Sequence, residues 1–154
     1  MIRIEEHVDL EASPDKAFAF LADFRNLPLW DPGIATARLV NGIATDSSAR
    51  YAIESLFLGR RLPLRYATVR YDADAREAVI EGEGDGVVAV DRIFMTPRPG
   101  GASRLRWQAD FELQGPARFM EWASKPLFVR LGQKAMDGLR RYASSDPELD
   151  HWQT

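Results

Sequence analysis

Apolar and polar residues alternate in two stretches of the chain and recur at helical spacing in two others. Ile2, Ile4, Val8 and Leu10 alternate with Arg3, Glu5, His7 and Asp9, which predicts a strand with one buried face. Glu6 falls on the apolar phase of that strand. Leu105, Trp107, Ala109, Phe111 and Leu113 alternate in the same way with Arg104, Arg106, Gln108, Asp110 and Glu112. This is the clearest strand in the chain. From Leu127 onward, Leu127, Leu131, Ala135, Leu139 and Tyr142 recur at steps of three and four, and Phe128 and Ala143 widen the stripe. That spacing predicts an amphipathic helix with one apolar face. The stretch ahead of it differs: Phe119, Met120, Trp122, Pro126 and Leu127 are apolar nearly all round. Gly115-Pro116 marks a helix start, and Pro126 predicts a kink or break. The second half of this segment is expected to dock on a sheet, and the first half to close over something apolar.

The second helical stretch begins at Ser13-Pro14-Asp15, with Ser13 as N-cap, Pro14 at the first helical position and Asp15 at the positive end. Ala17, Phe18, Phe20, Leu21 and Phe24 form its apolar face, and Asn26-Leu27-Pro28 breaks it. A short helix or turn carries Leu29-Trp30, and Asp31-Pro32-Gly33 ends that. Strands follow over 34–40 and 50–58, with Tyr51, Ile53, Ser55 and Phe57 on one face of the latter. Gly59-Arg60 reads as a tight hairpin. Strand 61–71 has an inconsistent phase that a bulge near Tyr66 would reconcile. A short strand over 78–81 leads into Gly82, Gly84 and Gly86, read as hairpin and bulge residues. Val87, Ala89, Asp91, Ile93 and Met95 then point together.

The order is one strand, two helices, six strands and one long helix. Short connections argue for an antiparallel sheet. The predicted class is therefore α+β, a curved seven-stranded antiparallel sheet around a long C-terminal helix. Such a sheet and one kinked helix are expected to leave an internal space lined by large aromatics. Residues 1–145 are expected to form one domain, and 146–154 a loosely held tail.

Composition narrows the function classes. The chain has 154 residues, 45% of them apolar, and a net charge of -3, so no basic field favours nucleic acid. It contains no cysteine, which excludes disulfides, thiolate nucleophiles and zinc–thiolate sites. The N-terminal residues alternate and are charged, so no secretory leader is expected. No apolar run approaches the roughly 20 residues of a membrane span. The expectation is a cytoplasmic protein without integral membrane association, monomeric or homodimeric.

Ala12-Ser13-Pro14-Asp15-Lys16-Ala17-Phe18, Leu21-Ala22-Asp23 and Leu29-Trp30-Asp31-Pro32, in this order, resemble the N-terminal signature of the START-like, Bet v 1-like (SRPBCC) superfamily. Arg70-Tyr71-Asp72 and Gly100-Gly101-Ala102-Ser103-Arg104-Leu105 resemble its later signatures. The resemblance covers 1–145 and is closest to the polyketide cyclase/dehydrase-like subgroup. It implies the helix-grip fold, and a cavity between sheet and helix for a hydrophobic or amphipathic small molecule such as a lipid or polyketide. It does not imply catalysis, since binding, transport and enzymatic members share the fold.

Candidate chemistry is sparse. His7 lies on a polar strand phase and His151 in the tail; neither has a metal partner by spacing, and no metal or cofactor is expected. Glu6 and Asp91 sit on apolar phases, where partial desolvation would suit a general acid or base, or an arginine partner would make each structural. Tyr51 and Tyr66 are candidate proton-handling hydroxyls. Trp30, Tyr51, Ile53, Phe57, Met95, Trp107 and Phe111 are candidate pocket walls or filled core. Leu127 and Leu131 would line the helix side. Phe119 and Trp122 would cap the entrance or form a contact with another chain.

Two functions from different classes follow. One is a non-catalytic carrier or sensor of a small hydrophobic ligand. The other is a cofactor-independent cyclase, dehydratase or aromatase acting on a polyketide-like substrate, with Glu6, Asp91, Tyr51 or Tyr66 moving protons. Two or more polar side chains converging at the pocket base would favour the enzyme.

Overall fold

The structure is a computed structural model and describes residues 1–150. Strand β1 (Ile2–Leu10) leads into helix α1 (Pro14–Ala22), a 3₁₀ turn and the short helix α2 (Leu27–Trp30). Six strands follow: β2 (Ile34–Asn41), β3 (Arg50–Phe57), β4 (Arg60–Asp72), β5 (Glu77–Gly84), β6 (Val87–Arg98) and β7 (Ala102–Leu113). A 3₁₀ helix over Gly115–Met120 then opens into α3 (Glu121–Ser145). The seven strands form one antiparallel sheet in the order β1-β7-β6-β5-β4-β3-β2. The two helices after β1 thus carry the chain from one edge of the sheet to the other. This is the expected α+β helix-grip arrangement.

Local chemistry sets the elements. The Ser13 hydroxyl accepts from the Lys16 backbone N–H at 3.3 Å and caps α1. Alternation in β1 and β7 puts Ile2, Ile4, Val8, Leu105, Trp107 and Ala109 inside. The outer face is laced with ion pairs, including Arg104–Asp9 and Arg106–Glu5. Helix α3 lies along β1 and meets α2 at Gly138. A Cβ at Gly138 would come within 2.1 Å of the Trp30 carbonyl oxygen, so only glycine permits this approach. The buried interior falls into two clusters. The larger joins α1 to the inner face of the sheet; the smaller gathers Ile2, Ile4 and Phe128.

Several sequence expectations are corrected. The helix does not break at Pro126: α3 runs through it, and the change of backbone type falls at Met120. Pro126 is exposed, so the Trp122 carbonyl that loses its donor can turn to solvent. The bulge in β4 lies at Val69, not near Tyr66, because its register with β5 shifts between Thr68 and Arg70. Leu62, Leu64, Tyr66 and Thr68 therefore share the inner phase and Tyr71 resumes it after the bulge. The β3–β4 turn is Leu58-Gly59, both at positive φ, one residue earlier than expected. Gly82 and Gly84 belong to β5, and only Gly86 takes the turn conformation. The tail is not loose from its start: Leu149 is 0% exposed and belongs to the larger cluster, and Lys16 pairs with Asp150 at 2.7 Å.

Candidate ligand cavity

A cavity of about 490 Å³ lies between the sheet and α3. Its walls draw on both core clusters: Trp107, Ala109 and Met136 from one, Ile4 and Phe128 from the other. Two such clusters, separated along the helix, leave a gap that neither fills. Strand β4 contributes Leu62, Leu64 and Tyr66, and α3 contributes Leu127, Leu131 and Ala135. The volume suits a small organic molecule.

Polar groups gather within this mostly apolar lining. Trp107 Nε1 donates to Asp91 Oδ1 at 2.9 Å, and both residues line the cavity. Burial pushes the Asp91 carboxyl up to about 7 against the lowering effect of that bond, and the nearby charge of Asp31 adds to the rise. Asp31 follows α2 and accepts from the Gly33 backbone N–H at 2.8 Å. Burial pushes it up to about 6, with the Gly33 bond acting the other way. Tyr66 is also pushed well up, first by burial and then by Asp91 and Asp31. Its ring lies over Gly82, where a Cβ would come within 2.5 Å of the ring carbons. The absence of a side chain at 82 therefore fixes where the tyrosine sits. Phe24 stacks on Trp107 at 6.1 Å and meets Tyr66 edge-on at 5.3 Å, and Trp30 meets Trp107 edge-on at 5.5 Å. Two carboxyls and one phenol thus sit among four aromatic rings.

A family model described as polyketide cyclase / dehydrase and lipid transport matches residues 1–144. The chain belongs to this family. Solved structures share the fold at low identity. A protein of Thermus thermophilus has a TM-score of 0.76 at 15% identity, covering 94% of this chain and 97% of that one. A START superfamily protein from Mycobacterium smegmatis has 0.72 at 16%, covering 95% and 97%. The ZhuI aromatase/cyclase from a Streptomyces species has 0.69 at 14%, covering 93% and 96%. A comparison with curated protein sequences gives no match.

In this polyketide cyclase/dehydrase family chain, the residues singled out from sequence fall into three groups. Glu6, Trp30, Phe57, Tyr66, Asp91, Trp107, Phe111, Leu127 and Leu131 line the cavity. Tyr51, Ile53 and Met95 share the inner face but lie in the filled core, where Tyr51 packs on Phe24 at 5.7 Å. Their strand phase points inward, yet α1 and the turn after it occupy the space above them. Phe119 and Trp122 do not line the cavity: they are 68% and 83% exposed, Phe119 in the 3₁₀ helix and Trp122 in the first turn of α3. Their neighbours Ala117, Met120 and Ser124 reach the cavity instead.

Asp31 was not legible as a cavity residue. Its Asp-Pro-Gly context reads as a helix stop, and that reading holds, since the Asp31 N–H closes α2 onto the Leu27 carbonyl at 2.8 Å. Its second role depends on where α2 docks, which no local pattern shows. His7 lies on the outer face, 3.7 Å from Glu5. His151 lies outside the described residues. Among the described residues, no group of three or more His, Asp or Glu could hold a metal ion, and no helix is long and apolar enough to cross a membrane.

Proposed function

We propose that the protein binds a small hydrophobic or amphipathic molecule in this cavity, with the molecule's polar end beside Asp31, Asp91 and Tyr66. The observation that carries this reading is a mostly apolar lining in which Asp31, Asp91 and Tyr66 gather among the aromatic rings. Apolar walls supply affinity, and a few placed polar groups supply orientation. Family membership supports it at the level of ligand binding or cyclase-type roles. Native mass spectrometry of protein purified from its own host tests the reading. One small molecule per chain is expected, lost on denaturation and lost in Leu127→Trp, which fills the cavity. An unchanged bound mass in the folded Leu127→Trp protein would place the ligand elsewhere.

A second reading is proton-transfer catalysis on the bound molecule. It is favoured by the convergence of Asp31, Asp91 and Tyr66, which meets the criterion of two or more polar side chains at the pocket base. Asp91, titrating near neutrality, would serve as general acid and Asp31 as general base. Against it stands the lack, among the described residues, of any basic residue in the lining to hold an enolate or other oxyanion. With the ligand identified, conversion that is lost in Asp91→Asn while binding persists would establish catalysis.

A further inference from the structure

The cavity carries a charge imbalance. Glu6, Asp31, Asp85 and Asp91 line it, and among the described residues no Lys, Arg or His does. Two other buried carboxylates, Asp23 and Asp110, are matched by arginine. Asp23 pairs with Arg25 at 2.6 Å, and Asp110 lies between Arg3 at 2.7 Å and Arg92 at 2.8 Å. Asp91 is only 8% exposed, yet among the described residues it meets no cation. Its Oδ1 takes the neutral indole N–H of Trp107, and its Oδ2 takes no hydrogen bond among the described residues. Asp31 has one backbone N–H on Oδ1 and no ion pair among the described residues. An ionised carboxylate in such walls is unfavourable until a cation joins it. Burial raises the protonation of both groups, and the charge of Asp31 adds to the rise at Asp91. Around them stand the faces and edges of Phe24, Trp30, Tyr66 and Trp107. Aromatic rings beside carboxylates attract ammonium groups, through the ring quadrupole and through charge.

We infer that the ligand class of this cavity is the hydrophobic amine, an apolar skeleton whose ammonium group sits beside Asp31 and Asp91 against the aromatic rings. The inference rests on the ligand-binding reading above. The skeleton would extend along Leu127, Leu131 and Phe57. An amphiphile ending in carboxylate or phosphate would bring like charge to a site with no cation to receive it. A neutral alcohol would find the apolar walls but leave both acids without a counter-charge.

The test is isothermal titration calorimetry near neutral pH with three molecules of one skeleton: phenylbutylamine, phenylbutanol and phenylbutyrate. The amine is expected to bind at least about tenfold tighter than the alcohol, with the acid weakest. Asp31→Asn combined with Asp91→Asn is expected to bring amine and alcohol within about threefold. Alcohol or acid binding as tightly as the amine would overturn the inference and leave the cavity reading standing. So would an amine preference that survives both substitutions. No binding of any of the three would overturn the inference and the cavity reading together. The wild-type ranking decides without the variants, should the double substitution fail to fold.

Discussion

Asp91 joins the chemistry of the cavity to the stability of the fold. Its folded-state pKa, about 7, lies above the ordinary value of 3.8 because the carboxyl is desolvated. Below pH 4 both folded and unfolded chains hold this proton. Between about pH 4 and pH 7 the unfolded chain loses it first, so the folded state binds more protons and stability falls as pH rises. Above pH 7 the penalty is complete. Asp91→Asn keeps the shape and an oxygen acceptor for Trp107 Nε1 but removes the charge. The variant is therefore expected to be more stable than wild type at pH 8, by an amount on the order of a few kcal/mol, and nearly equal at pH 4. Urea unfolding of both proteins at the two pH values measures this. A difference that does not change with pH would mean that Asp91 titrates as an ordinary surface aspartate.

Among the elements, the segment from Gly115 to Lys125 stands apart from the rest of the C-terminal helix. The buried residues of α3, namely Phe128, Met136, Gly138 and Leu139, all lie beyond it. The preceding 3₁₀ helix has none. Segments with few buried contacts open more readily than packed ones. Amide hydrogen exchange is expected to be faster over 115–125 than over 127–143, and a cavity ligand is expected to slow the first stretch most, since Ala117, Met120 and Ser124 reach the cavity. Equal protection of both stretches without ligand would show one rigid rod and remove any role for this segment in admitting a ligand. The sequence pattern pointed to a division here but misplaced its cause. Pro126 is the visible breaker, yet an exposed turn tolerates it, and the boundary falls where burial begins. The bulge of β4 shows the same limit. The phase conflict along 61–71 is plain in the sequence, but Val69 is fixed as the extra residue only by pairing with β5.

At the scale of the whole molecule, the fold was legible because most of its elements, strand 61–71 apart, are amphipathic with a clear period. The cavity was legible only in part. Strand phase separates inner from outer face, and it correctly turns Asp91, Trp107 and Phe111 inward. It does not say which inner positions are covered. Tyr51 and Trp107 look alike in pattern, but one lies in the filled core beneath Phe24 and the other borders the cavity. Asp31 and the tail residue Leu149 reach their places through docking between distant segments, which leaves no periodic trace. The central claim is that the space between sheet and helix is a binding site. A titration with an apolar fluorescent probe tests it most directly, run on wild type and on Leu127→Trp, with circular dichroism confirming that both fold. The account predicts saturable binding at one site per chain in wild type, and affinity weakened at least about tenfold in the filled variant. Equal binding by the two folded proteins, or no saturable binding to wild type, would contradict it.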